Sequence, residues 1–138
     1  MSLQSRLGKI AELKFNTICI ERGLACLWPS VDVHGYDCVI DSNGRLYRVQ
    51  IKSTINVHIS NRGYDEVKFN ISKSKRGSSC YDISDFDFLA CYSHRLDQWW
   101  IMPIEESAVS IGSKSFSIYP NRKNSKYTKF QNAWHLLD

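Results

Sequence analysis

The sequence predicts one α/β or α+β domain over residues 1–138, and three observations carry that prediction. An amphipathic helix opens the chain. A series of short apolar strands follows, its early members joined by a tight hairpin turn. A second helical pattern closes the C-terminal end. This order is that of a sheet covered by helices, and 138 residues are enough to bury a core of ordinary size. The sequence has no internal repeat, low-complexity tract or inter-domain linker.

Each element has its own signal. From Ser2 to about Gly23, the apolar residues Leu3, Leu7, Ile10, Ala11, Phe15 and Ile18 recur at spacings of three and four, which is one face of a helix. Gly23 is placed to end it. "ACLWP" is a short strand stopped by Pro29, and "SVDVHG" reads as loop. "YDCVID" and "RLYRVQIKST" are the next two strands, joined as a hairpin across Ser42 to Gly44. "NVHIS" and "VKFNIS" flank a turn at Asn61 to Tyr64. The polar "SKSKRGSSCYDISD" is expected to be loop with a short helical turn. "FDFLACY" and "WWIMP" form two strands around a turn at His94 to Asp97, and "IEESAVSI" a short helix. From about Ser125, Tyr127, Phe130, Trp134 and Leu137 stand at helical spacing, with Asn124 or Ser125 as N-cap.

Composition narrows the classes of function. With 43% hydrophobic and 23% charged residues the chain reads as soluble and globular. No apolar run approaches the roughly 20 residues that a membrane helix needs, and "MSLQSRLGKIAELKF", polar on one side throughout, does not read as a signal peptide. A cytoplasmic protein without membrane contact is therefore expected. Five cysteines, an odd number with no zinc-type spacing, point to reduced thiols rather than a disulfide framework. The net charge of +4 is modest, but its distribution is uneven. Lys68, Lys73, Lys75 and Arg76 form one basic run. Lys114, Arg122, Lys123, Lys126 and Lys129 form another, free of acids and interleaved with Tyr119 and Tyr127. Taken alone, such runs describe a solvated face.

Polar residues at positions that should be apolar carry the chemistry. Glu12 borders the apolar stripe of the first helix, and Asp37 opens the second strand. Gln50 and Lys52 share a face of the third strand, since positions i and i+2 point the same way. In the hairpin, Asp37 and the Gln50/Lys52 pair come to the end away from the turn, and a helix packed across the sheet would bring Glu12 to the same place. Such a group suits metal-assisted phosphodiester hydrolysis. Mg²⁺ takes oxygen ligands, here the carboxylates of Asp37 and Glu12, the Gln50 amide oxygen and the backbone carbonyl of Ile51. Lys52 would orient the nucleophile or stabilise the transition state as a fixed point charge. Asp32 and Asp41 are rival acids to Asp37, although Asp41 directly precedes the hairpin turn, where Asp commonly serves structure. Trp99, Trp100 and Trp134 read as core.

"GKIAE" on the first helix, "YDCVID", "YRVQIKS" and the later "DFLACYSHRLDQWWIMPIEE" together resemble the PD-(D/E)XK nuclease superfamily. More narrowly, they are similar to the branch holding an intron-encoded homing endonuclease and its bacterial and phage relatives. The closing "NSKYTKFQNAWHLL" resembles the end of that branch. The resemblance implies a restriction-endonuclease-like central mixed sheet flanked by helices, and a Mg²⁺- or Mn²⁺-dependent DNA endonuclease that leaves 5′-phosphate and 3′-hydroxyl ends. Tyr36 replaces the proline of the motif, and Gln50 stands where most of the superfamily has a carboxylate. Under this reading Lys73, Lys75, Arg76, Arg122, Lys123 and Lys126 are candidate phosphate contacts.

Cutting two strands needs two active sites, so at least a homodimer is expected, with "WWIM" or the first helix at its interface. The substrate is left open between a homing site, a Holliday junction and a short restriction or repair site. A DNA-binding protein that keeps the fold but has lost cleavage is the alternative, and Gln50 is its main support.

Overall fold

A computed structural model describes residues 1–32, 35–73 and 79–138. The chain runs α1 (Leu3–Glu21), β1 (Ala25–Leu27), β2 (Cys38–Ser42), β3 (Arg45–Thr54), β4 (His58–Ile59), β5 (Asp65–Asn70), β6 (Phe88–Ser93), β7 (Gln98–Pro103) and β8 (Ser115–Ile118). At the start of α1 the Ser2 hydroxyl accepts the Ser5 N–H at 3.1 Å. At its end Leu24 N–H returns to the Cys19 carbonyl at 2.8 Å and Gly23 N–H to that of Ile20 at 3.0 Å. This double return is a Schellman closure. It requires the left-handed backbone that Gly23 adopts at φ 76°.

The central sheet has the order β1-β2-β3-β6-β7. All its pairs are antiparallel except β3 with β6, which makes it mixed. The β2–β3 turn places Asn43 and Gly44 at φ 52° and 89°, the two positive angles that match the twist of the flanking strands. Asp41 caps this turn, accepting the Gly44 N–H at 2.9 Å. A second sheet, of order β4-β5-β8, is antiparallel throughout.

Period-two alternation divides the core between the two faces of the central sheet. Val49 and Ile51 of β3 pack with Ala90 and Tyr92 of β6 beneath Ala11, Phe15 and Cys19 of α1. On the other face Leu89, Cys91, Trp100 and Met102 pack against Val67, Phe69 and Phe116 of the second sheet. β6 is therefore buried on both sides, as a parallel-paired central strand should be. All five cysteines are free thiols. A hydrogen bond with Cys26 and burial push the Cys19 thiol up, which keeps it protonated. Among the described residues, no helix is long and apolar enough to cross a membrane.

Three expectations are corrected here. The C-terminal pattern is not one α-helix capped by Asn124 or Ser125 but two 3₁₀ turns, Thr128–Phe130 and Trp134–Leu137. Between them Gln131 is extended (ψ 123°) and bridges Trp100, while Asn132 takes φ 50°. Tyr127, Phe130, Trp134 and Leu137 are still buried, so their spacing records burial rather than helix. "IEESAVSI" likewise forms 3₁₀ turns, so α1 is the only α-helix among the described residues. The "WWIM" residues Trp99, Trp100, Ile101 and Met102 lie in the protein's own core, which removes them as an interface. β8, in "SFSI", was not foreseen. Part of the polar stretch expected to hold a helical turn, residues 74–78, lies outside the described residues.

Candidate active site

The site is built where β2 ends and β3 continues. Backbone groups of Arg48 and Thr54 face β6, where they accept N–H bonds from Asp87 and His94. Those of Val49 face β2, where its carbonyl accepts the Asp37 N–H at 2.8 Å. By the same alternation, the N–H and carbonyl of Ile51 point to the edge that β2 has vacated.

The Asp37 side chain fills that edge. Its Oδ2 accepts the Ile51 N–H at 2.7 Å and the Gln50 Nε2–H at 2.9 Å. The Ile51 carbonyl receives only a longer bond, also from Gln50 Nε2, at 3.3 Å. A buried amide thus clamps the carboxylate and the neighbouring carbonyl together. Burial is the largest influence on the Asp37 carboxyl and raises its pKa to about 6. The Ile51 N–H opposes that rise, the charge of Glu12 adds to it, and Lys52 and Lys9 oppose it.

Glu12 reaches the site from α1. Its carboxylate pairs with Lys9 at 2.8 Å, one helical turn earlier. Glu12, Asp37, Lys9, Asp32 and Tyr36 line a cleft of about 430 Å³. Lys52 projects on the opposite side of β3, with its ammonium 5.0 Å from the centre of the Tyr81 ring. It has no ion pair among the described residues.

Asp37 is thus hydrogen-bonded to Gln50 and lies within electrostatic reach of Glu12 and Lys52. The helix does not cross the face that carries Gln50 and Lys52. It covers the Val49/Ile51 face, and Glu12 meets Asp37 in the shared cleft. Of the rival acids, Asp41 belongs to the hairpin turn, while Asp32 shares the cleft but is exposed. Lys9 and Tyr81 were missed. Lys9 had a signal, its i,i+3 spacing to Glu12, whereas Tyr81 had none.

The hard oxygen donors at this point are the Asp37 and Glu12 carboxylates and the Ile51 carbonyl, while Gln50 presents its amide nitrogen there. Among the described residues, no three His, Cys, Asp or Glu side chains assemble for a metal. The donor set fits an oxygen-seeking divalent ion that completes its shell with neutral oxygens.

The basic residues are dispersed. Lys73 is bound to Asp85 at 3.1 Å, Arg122 lies 5.7 Å from the Tyr64 ring and Lys126 lies 5.5 Å from the Tyr127 ring. Lys123 is exposed. Lys75 and Arg76 lie outside the described residues.

The fold is similar to that of a bacterial homing endonuclease, I-Ssp6803I. The TM-score is 0.76 at 24% identity, over 99% of this chain and 93% of that one. No curated protein is significantly similar in sequence. A sequence model of the PD-(D/E)XK endonuclease matches residues 3–137, and the chain belongs to that family.

Proposed function

We propose that the protein is a Mg²⁺-dependent DNA endonuclease, with Mn²⁺ as a substitute, acting as one domain on a homing site, phage DNA or a branched junction. The observation that carries this reading is the Asp37 carboxylate held against the unpaired edge of Ile51, with Glu12 and Lys52 both within electrostatic reach. Asp37, Glu12 and the Ile51 carbonyl would hold the ion, and Gln50 would join them once its amide turned its oxygen, in place of Nε2, toward the site. When bound, a divalent ion neutralises phosphate charge and acidifies water. The residues of the chain do the rest. Burial keeps Asp37 short of counter-charge, so its carboxylate is poised for a cation. Gln50 fixes that carboxylate through Nε2. Lys52 rests on Tyr81 without an acidic partner among the described residues, which leaves its charge available to a phosphate in the transition state.

The test is nicking of supercoiled, linear and four-way-junction DNA in Mg²⁺, Mn²⁺ and EDTA. Cleavage should need the metal, and Lys52→Ala should lower it by at least about 100-fold with DNA binding nearly intact.

One observation favours the second reading, a DNA-binding protein without cleavage. Gln50 turns its amide nitrogen, a donor, toward Asp37, and so partly fills the place of a cation. Binding without cleavage in any metal or DNA form would select that reading. A homodimer with two active sites follows from the need to cut two strands. Five free thiols fit a reducing cytoplasm.

A further inference from the structure

The second sheet commits one face to the core, through Val67, Phe69, Phe116 and Ile118. Its other face is turned outward, with His58, Lys68, Asn70 and Ser115 exposed. Where that face meets the end of β3 and the first turn of α1 lies a groove of about 470 Å³. Gln4, Asn56, His58, Lys68, Asn70 and Lys114 line it with several hydroxyls, and among the described residues its lining contains neither an acid nor an apolar side chain. The nearest acid along β5, Glu66, is engaged by the Ser117 hydroxyl at 2.6 Å. Lys68 and Lys114 have no ion pair among the described residues.

Ordinary surfaces mix both signs of charge, and protein-binding surfaces have an apolar centre. This groove has neither property. Amides, hydroxyls and two free cations are the chemistry that meets base edges and phosphates.

Its position supports the same assignment. Ser53 and Thr54, which line the groove, directly follow Lys52 on β3. Two strand residues advance about 7 Å, so the groove adjoins the candidate site.

We propose that the outward face of β4–β5–β8 is a base-reading surface for duplex DNA, adjoining the candidate active site through Ser53 and Thr54. Lys68 and Lys114 contact phosphates. The amides of Asn56 and Gln4 read base edges, and favour adenine because an amide pairs bidentately with its N6 and N7, whereas the Asn70 amide oxygen is held by the Ser72 N–H at 2.9 Å and the Ser72 hydroxyl at 2.7 Å. Antiparallel strands fit the major groove in this way. The inference rests on the endonuclease reading for the role of the adjoining site, but not for the binding itself.

The test is selection of bound duplexes from a randomised library in EDTA, where no strand is cut, followed by salt titration of the selected duplex. Asn56→Ala should relax preference at one position by roughly 5- to 150-fold. Lys68→Ala and Lys114→Ala should weaken binding evenly across sequences, and each should reduce the salt slope by about one. Circular dichroism checks that these surface variants fold. Unchanged preference and salt slope in all three, with wild-type binding intact, overturn the proposal, as does failure of the wild type to bind duplex DNA. A wild type that binds selectively through these residues but never cleaves in Mg²⁺ or Mn²⁺ supports the proposal and instead removes the endonuclease reading.

Discussion

At the residue scale, the carboxyl of Asp37 turns inward from a half-buried position, and its pKa of about 6 lies above the ordinary carboxylate value of 3.8. Between those values the folded protein keeps a proton that the unfolded chain has lost. The stability contributed by protonated Asp37 is therefore fully present below about pH 4 and lost as pH rises through about 6. Above that pH the buried charge costs on the order of 2–3 kcal/mol in the absence of a cation. Asp37→Asn should therefore raise the melting temperature in EDTA at pH 7.5, with the gain vanishing near pH 4. Added Mg²⁺ should stabilise the wild type at pH 7.5 but not Asp37→Asn, and the variant should not cleave. Thermal melts at the two pH values, with and without Mg²⁺, check all of this. Gln50→Glu replaces an N–H donor 2.9 Å from the Asp37 carboxylate with a second negative charge. It should lower the melting temperature in EDTA and at least halve the Mg²⁺ concentration needed for half-maximal cleavage, as a metal titration would read. Asp37 and Lys52 were legible in the sequence as polar residues on an apolar pattern. The direction of the Gln50 amide was not, because it depends on which backbone groups β2 leaves unpaired.

At the element scale, the approach to β2 is set by Gly35. Its φ of 98° is a conformation that other residues rarely adopt, and an added Cβ would lie 2.8 Å from the Asp85 Cβ and 3.0 Å from the Asp85 carbonyl oxygen. Gly35→Ala should destabilise the fold by about 2 kcal/mol or more in urea unfolding. It should also reduce cleavage beyond what the lost folded fraction explains, since Asp37 is two residues away. The helix and the hairpin were readable because their signals are local: a cap, a glycine closure and an Asn-Gly turn. The C-terminal segment was misread for the complementary reason. Its apolar spacing reports contact with β7 and α1, and two 3₁₀ turns joined by an extended Gln131 satisfy that burial as well as an α-helix would.

At the scale of the whole molecule, α1 covers the central sheet with one face and leaves Leu3, Ile10, Leu13 and Ile20 exposed on another. If this stripe pairs two copies, Leu13→Arg should halve the sedimenting mass, and supercoiled DNA should then accumulate as nicked circles before linear product. A dimer that persists in Leu13→Arg would move the interface elsewhere. By itself the sequence determined that α1 opens the chain, that β2 and β3 form a hairpin, and the residue types at the site, because each follows from spacing and turn chemistry within a few residues. Leu3 and Ile10, read as part of the helix's apolar face, are exposed. Only the tertiary structure decided that Glu12 shares a cleft with Asp37, that Lys52 rests on Tyr81, and that a polar groove lies where the second sheet meets the end of β3. Those arrangements depend on which strand pairs with which, and on where β2 stops, and that competition is settled by burial across the whole chain.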